Sequence, residues 1–238
     1  MNRLGKRPEA PTADPSSSLE AIDPVAALQR AADSLSLALT DAQIQQLTAY
    51  LALLQRWNAV YNLTALRNPA DMLSHHLVDC LAALPALRRH AGDKALRVLD
   101  VGSGGGLPGV VLAIAQPAWT ISCVDTVAKK ASFIRQVAAE LGLPGLLAVH
   151  ARVESLAPPT GGGYDVITSR AFASLKDFTS LTHALLAEDG VWMAMKARLT
   201  PEEQTELPSS VKMFHVEQLT VPGLDAQRCL VWMRPTNT

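Results

Sequence analysis

Apolar residues follow two rhythms along this chain, and the change from one to the other falls near residue 95. Before it they recur every three or four positions: Val25, Leu28 and Ala32; then Ile44, Leu47, Leu51, Leu54 and Trp57; then Met72, Leu73, Leu77, Cys80, Leu81 and Leu84, with His76 facing inward among them. Such spacing gathers each set on one face of a helix. Start signals agree: Pro24 suits a first helical position, Thr40 with Gln43 makes a capping box, and Asn68 with Pro69 supplies a cap and first turn. Residues 21–90 are therefore expected to form a helical N-terminal segment. Residues 1–20, rich in Pro, Ser, Thr and Ala, bury too little to offset the entropy of ordering and are expected to be a disordered tail.

From Leu96 strands and helices alternate, the mark of a parallel sheet covered on both faces. The pattern predicts strands at Leu96–Val101, Thr120–Val124, Leu146–His150, Asp165–Ser169 and Val191–Met195, with helices near Leu107–Ala115, Ala128–Leu141 and Leu175–Ala187. Gly142 and Gly190 sit where helix stops belong. Two more β-prone runs, Val211–Leu219 and Arg228–Met233, flank a turn-rich VPGLDAQ and should pair antiparallel. The expected fold is α/β, a Rossmann-like, mostly parallel sheet with an antiparallel C-terminal strand pair and an N-terminal helical appendage, its catalytic-type domain occupying 91–238.

The candidate chemistry centres on VLDVGSGGGLPGVVLAIA, from Val98 to Ala115. A short apolar run passes through Gly102, Gly104, Gly105 and Gly106 into helical periodicity, so a loop of nearly bare backbone precedes helix N–H groups that face a ligand. A dinucleotide fingerprint needs a third glycine where this chain has Leu107. Asp100 stands two residues before the first glycine, and a carboxylate facing that pocket repels a pyrophosphate but attracts a cation, by about 4 kcal/mol at roughly 4 Å and an effective dielectric near 20. S-adenosylmethionine, with its sulfonium and ammonium, fits that charge; NAD fits poorly. Asp125 follows the second strand at the spacing at which an acid accepts both ribose hydroxyls of an adenosine. Capping the next helix is the plainer role for Asp125, but Thr126 could do that.

Composition narrows the class. At 238 residues the chain holds one sizeable α/β domain with an appendage, and 48% hydrophobic content is ordinary for a globular protein. No apolar run is long enough to span a membrane, and Arg3, Lys6 and Arg7 are not followed by the apolar core of a secretory signal, so a cytoplasmic location is expected. Cys80, Cys123 and Cys229 lie too far apart for a zinc site and read as reduced thiols; no metal is expected. A net charge of −1 makes no case for nucleic acid, so an RNA substrate would have to rest on a local patch.

With those residues in view, the chain resembles class I S-adenosylmethionine methyltransferases, and most closely the bacterial small-subunit ribosomal RNA methyltransferase G family, also called glucose-inhibited division protein B. The likeness runs from about Leu47 to Arg234. It rests on WNAVYNLTAL near Trp57, HHLVDCLAAL from His75, LDVGSGGGLPG from Leu99, VDTVAKKASFIRQV from Val124, RVESL from Arg152 and SRAFASL from Ser169. The resemblance implies methyl transfer from S-adenosylmethionine to N7 of a guanine in 16S rRNA, within the small ribosomal subunit. A monomer is expected, with neither DNA nor a membrane as partner.

Carried over position by position, the cofactor contacts are Gly102, Gly104 and Leu107 in the loop, with Asp100 beneath it, Asp125 on the ribose, Val153 and Glu154 around the adenine, and Arg170 after the fourth strand. Glu154 can accept the adenine amino protons. Arg170 suits the cofactor carboxylate or an RNA phosphate, or it bonds strand-end carbonyls. Phe172 can stack on the target base or pack in the core. Lys196, and Lys129, Lys130 and Arg135 on the helix after Asp125, are substrate candidates, with Arg88, Arg89, Lys94, Arg97 and Arg198 behind them; each lysine could equally be a solvated helix face. The helical segment can be a lid, an RNA-docking surface or a cover for the sheet. His75 and His76 read as packing or capping groups.

One departure stands out: Lys196 is followed by Ala197 where the family commonly has glycine, which would strain the loop if positive φ is needed. SRAF carries neither the Pro-Pro motif of amino-directed enzymes nor a cysteine nucleophile, and N7 attacks without first losing a proton, so no catalytic base is expected. Three rivals remain: a small-molecule methyltransferase, whose aromatic-lined lid is poorly supplied by four Trp, three Tyr and four Phe; a cofactor-sensing assembly factor; and an NAD dehydrogenase, which Asp100 opposes.

Overall fold

The computed structural model describes residues 23–170, 172 and 174–236; the expected disordered tail lies outside them. The N-terminal rhythm produces α1 (Pro24–Ser34), α2 (Asp41–Tyr61), α3 (Pro69–Met72), a π-helical stretch at Leu73–Val78, α4 (Asp79–Ala82) and α5 (Leu84–Ala91). The caps are those the sequence signals. Thr40 accepts from the Gln43 N–H while the Gln43 side chain accepts from the Thr40 N–H, and the Asp23 and Asn68 side chains accept from Val25 and Ala70. The π stretch was not legible, because its wide turn keeps the same apolar side inward.

The second rhythm produces β1 (Arg97–Val101), α6 (Gly109–Ala115), β2 (Thr120–Asp125), α7 (Ala128–Glu140), β3 (Leu146–His150), a 3-10 turn at Val153–Ser155, β4 (Tyr164–Arg170), α8 (Leu175–Thr182), a second 3-10 turn at His183–Leu185, β5 (Leu186–Lys196), α9 (Pro201–Thr205), β6 (Val211–Leu219) and β7 (Arg228–Pro235). The sheet has seven strands in the order β3-β2-β1-β4-β5-β7-β6. The first five are parallel, and β7 runs antiparallel between β5 and β6.

Strand alternation sorts the core onto two faces. Val98, Ile121, Cys123, Val166, Met193, Leu230 and Trp232 share one buried cluster with α2, α4, α5, α6 and α7, reaching out to Leu28 and Ala32 of α1. Leu99, Val124, Ile167, Trp192, Val231 and Met233 face the other way, against Leu175 and Phe178 of α8. Among the described residues no helix is long and apolar enough to cross a membrane.

Gly142 stops α7 as expected: at φ +62° it lets Leu143 donate to the Ala138 carbonyl at 2.9 Å. Gly190 does not stop a helix. The helix after β4 ends at Thr182, whose hydroxyl accepts from the Trp192 indole N–H at 2.8 Å, and Gly190 lies inside β5. There a Cβ would come within 2.6 Å of the Tyr164 carbonyl, so the glycine serves close strand approach where the β4–β5 register shifts.

Candidate functional site

The strand order reverses direction between β1 and β4, the switch point at which open α/β sheets hold ligands beyond their strand C-termini. Two cavities open there. One, of 410 Å³, lies over β1 and β2 and is lined by Gly102, Asp125, Lys130, Val153, Glu154 and Phe172 among others. The other, of 460 Å³, lies over β4 and β5 and is lined by Asp79, Arg170, Phe172, Lys196, Arg198 and Arg228 among others. Phe172 borders both, and its ring packs on Phe178 at 5.6 Å between centroids.

The first cleft is built around Asp125. Its Oδ2 accepts from the Gly104 N–H at 3.0 Å, its Oδ1 from the Val127 N–H at 2.9 Å, and the Lys130 ammonium stands 3.6 Å away. One carboxylate thus pins the glycine loop to the start of α7, combining the capping role with a place in the cleft, and its remaining lone pairs can take further donors. Gly102 and Gly104 hold φ of +66° and +58°, which only glycine adopts without strain. On the opposite wall Val153 is buried, and Glu154 is exposed with Arg152 at 3.4 Å.

Three expected cofactor contacts are placed differently. Asp100 does not face the cleft: strand alternation turns it onto the α6 face, fully buried, where Oδ2 accepts from the Gly109 N–H at 2.8 Å. Among the described residues its Oδ1 has no hydrogen-bond partner, nor do the buried hydroxyls of Ser103 and Thr168. Burial pushes the Asp100 carboxyl up to about 7, only partly offset by the Gly109 N–H and Arg170. Leu107 belongs to the core under the loop, because the chain turns inward there before α6 starts. Arg170 lines the second cavity, and its guanidinium is tied to the helical segment: Nη1 donates to the His75 carbonyl at 2.7 Å and stands 3.3 Å from Asp79, and Nη2 donates to His76 Nδ1 at 3.1 Å.

That second cavity also holds two residues that the sequence left unassigned, Asp79 and Arg228. Asp79 is buried and takes Arg228 Nε at 2.9 Å on its other oxygen. His76 passes Arg170 on to Thr64, whose hydroxyl lies 2.7 Å from Nε2; burial, then Arg170, lowers its pKa to about 4, so the ring is neutral. Lys196 is paired with Glu203 at 2.6 Å, a contact set up by the Thr200–Glu203 capping box at the head of α9. Ala197 is not in the left-handed region, so the strain expected from the missing glycine is absent.

The basic candidates divide by position. Lys129 and Arg135 are exposed on α7. Arg97 begins β1 at the end of the sheet away from the cavities, tied to Asp165 and to the Gly161 and Gly162 carbonyls, while Arg89 pairs with Glu217.

The residues fit S-adenosylmethionine: a cleft of cofactor size, a loop that a Cβ would distort, and an acid with free lone pairs at the second strand end. Comparison with known proteins points the same way. Residues 43–231 match the family model described as rRNA small subunit methyltransferase G. Proteins of that name from Methylibium petroleiphilum and an Acidovorax species are 61% and 56% identical, over 87% and 88% of this chain and 92% and 94% of theirs. Among solved structures, a mutant of MtNAS in complex with S-adenosylmethionine aligns over 88% of this chain and 84% of its own with TM-score 0.55 at 16% identity, and the cyclase SpnF over 67% and 81% with TM-score 0.53 at 15%. At such identities these show a shared fold.

Proposed function

The chain belongs to the rRNA small subunit methyltransferase G family, and from that premise we propose that it transfers a methyl group from S-adenosylmethionine to N7 of a guanine in 16S rRNA of the small ribosomal subunit. The observation that carries this reading is the pair of adjoining cavities sharing Phe172 as their common wall. The first would take the cofactor, with Asp125 on the ribose, Val153 and Glu154 at the adenine and the Gly102–Gly104 backbone against the rest. When bound, S-adenosylmethionine supplies a methyl group on a positively charged sulfur.

The second cavity would take the guanine, unstacked from its RNA. N7 carries a free lone pair, so this chain has no proton to remove and its work is alignment, which intramolecular models put at about 7–11 kcal/mol at best. The methylated guanine is a cation, and bare cations beside it would oppose the reaction. Here Lys196 is neutralised by Glu203, and Arg170 and Arg228 share Asp79. The guanidiniums keep donors for O6 or a phosphate while the Asp79 carboxylate they share answers part of their charge. Phe172 is placed to stack on a base from the partition.

Labelled methyl transfer to small subunits lacking the modification tests this. Label in alkali-labile N7-methylguanosine is expected. Label in another nucleoside would overturn the N7 assignment, and none in any RNA with cofactor still bound would overturn the substrate.

A further inference from the structure

The WNAVYNLTAL stretch takes no part in either cavity, yet its loop is braced by several side-chain hydrogen bonds. Asn58, buried, donates from its side chain to the Leu66 carbonyl at 2.8 Å and accepts from the Thr64 N–H at 2.8 Å. Arg67 donates to the Asn58 carbonyl and to the Asn62 side chain, and Asn62 ends α2 in the left-handed conformation. Out of this frame Tyr61 stands 41% exposed and Val60 68% exposed. Beneath Tyr61 lies Trp57 at 4.9 Å, and beneath Trp57 lies Phe133 of α7 at 5.4 Å. A fixed aromatic column thus ends at the surface in an open ring.

Basic side chains border it. α2 and α7 run past each other in opposite directions, since Gln46 bonds the Leu141 carbonyl while Trp57, further along α2, packs on Phe133. One more turn, about 6 Å, brings α2 to Tyr61 and α7 to Lys129, which shares a helix face with Phe133. Among the described residues no carboxylate lies within ion-pair distance of Lys129 or Arg67, and Arg56 has Glu140 only at 3.9 Å. Lys130, beside Lys129, reaches Asp125 in the cofactor cleft, and Thr64 reaches Arg170 through His76. The platform is therefore rigidly joined to both cavities.

We propose that Tyr61, backed by Trp57 and flanked by Lys129 and Arg67, is a stacking platform for an unpaired base of the small-subunit rRNA next to the methylated guanine. This rests on the RNA-methyltransferase reading above. Bases stack on any aromatic face, and the flanking cations hold the adjoining phosphates, so the platform sets register without reading sequence.

The test uses the full chain, unmodified small subunits and a single-stranded oligoribonucleotide spanning the target guanine. Tyr61→Ala should raise KM for both RNA forms about tenfold, within the range of base–aromatic stacking, with a far smaller change in kcat and none in the Kd for S-adenosylmethionine. Tyr61→Phe keeps the ring and should restore KM; Lys129→Ala should flatten the salt dependence of binding. An unaltered KM in a folded Tyr61→Ala protein overturns the platform. Loss on assembled subunits but not on the oligoribonucleotide overturns it in favour of a ribosomal protein contact. Absence of methyl transfer by the unaltered protein would instead defeat the reading on which the platform rests.

Discussion

The acids at the ends of the first two strands look alike in sequence and behave oppositely in the fold. Asp100 is buried against Gly109 with its carboxyl pushed up to about 7, whereas an unfolded chain titrates it near 3.9. Between those values the folded protein keeps a proton that the unfolded chain has released, so this contribution is full below about pH 4 and is lost as pH rises through about 7. The total is on the order of 4 kcal/mol. His76, lowered to about 4, slopes the other way below about pH 6.5, so a variant must isolate Asp100. Urea unfolding of the protein and of Asp100→Asn should show the stability difference shifting by a few kcal/mol in favour of Asn between about pH 5 and pH 8; parallel profiles would mean that Asp100 is ionised throughout. For Asp125, Asp125→Ala removes acceptors from the Gly104 and Val127 N–H groups. The expected result is weaker S-adenosylmethionine binding in calorimetry together with about 1–3 kcal/mol of lost stability, and normal affinity would remove Asp125 from the cofactor site. Spacing along the chain was enough to find both acids, and strand parity could have shown that Asp100 points to the α6 face. What no spacing shows is which groups come to meet a side chain. Arg170 is read from SRAF as a ligand contact, but its partners His75, His76 and Asp79 are nearly a hundred residues earlier.

Between elements, the glycine loop is held as much by α2 as by its own strand. The Tyr50 hydroxyl donates to the Gly105 carbonyl at 2.6 Å in a fully buried contact, and the Leu54 side chain stands where a Cβ on Gly105 would fall. Tyr50→Phe leaves that carbonyl unpaired away from water and should cost about 1–3 kcal/mol in urea unfolding, with a parallel loss of cofactor affinity because the loop it braces lines the cleft. A change within error would show that water replaces the hydroxyl. Below the loop, Gly109 lets α6 lie against β1 and β2, since a Cβ there would come within 2.2 Å of Cys123 Sγ. This is why the pattern placed the helix start near Leu107 when it begins at Gly109: the intervening residues turn inward, and Leu107 is apolar because it is core. Periodicity reports burial, and it cannot separate the last loop residue that is buried from the first helical one. The same limit hid the start of β5, where Leu186 and Ala187 continue the apolar run of α8.

At the scale of the molecule, the helical segment and the sheet are one body in their packing. The buried cluster on one sheet face runs without a break from Leu28 and Ala32 in α1, through Leu47, Leu54, Leu77 and Leu84, to Val98, Met193 and Trp232. Buried charge also crosses the join, with Asp79 of α4 holding Arg170 at the end of β4 and Arg228 at the start of β7. A change of rhythm near residue 95 suggested a boundary because composition and period record local structure, whereas these contacts link positions far apart in sequence. If the join is as continuous as the packing implies, heat and urea should unfold the protein in one transition, with near- and far-ultraviolet signals coincident. A fragment that begins at residue 92 would expose the whole α2, α4 and α5 face of the sheet and leave Arg170 and Arg228 without Asp79, so it should be recovered unfolded or aggregated and without affinity for S-adenosylmethionine. A soluble, cofactor-binding fragment would show instead that the helices are a separable cover, and that the cleft owes its shape to the sheet and glycine loop alone.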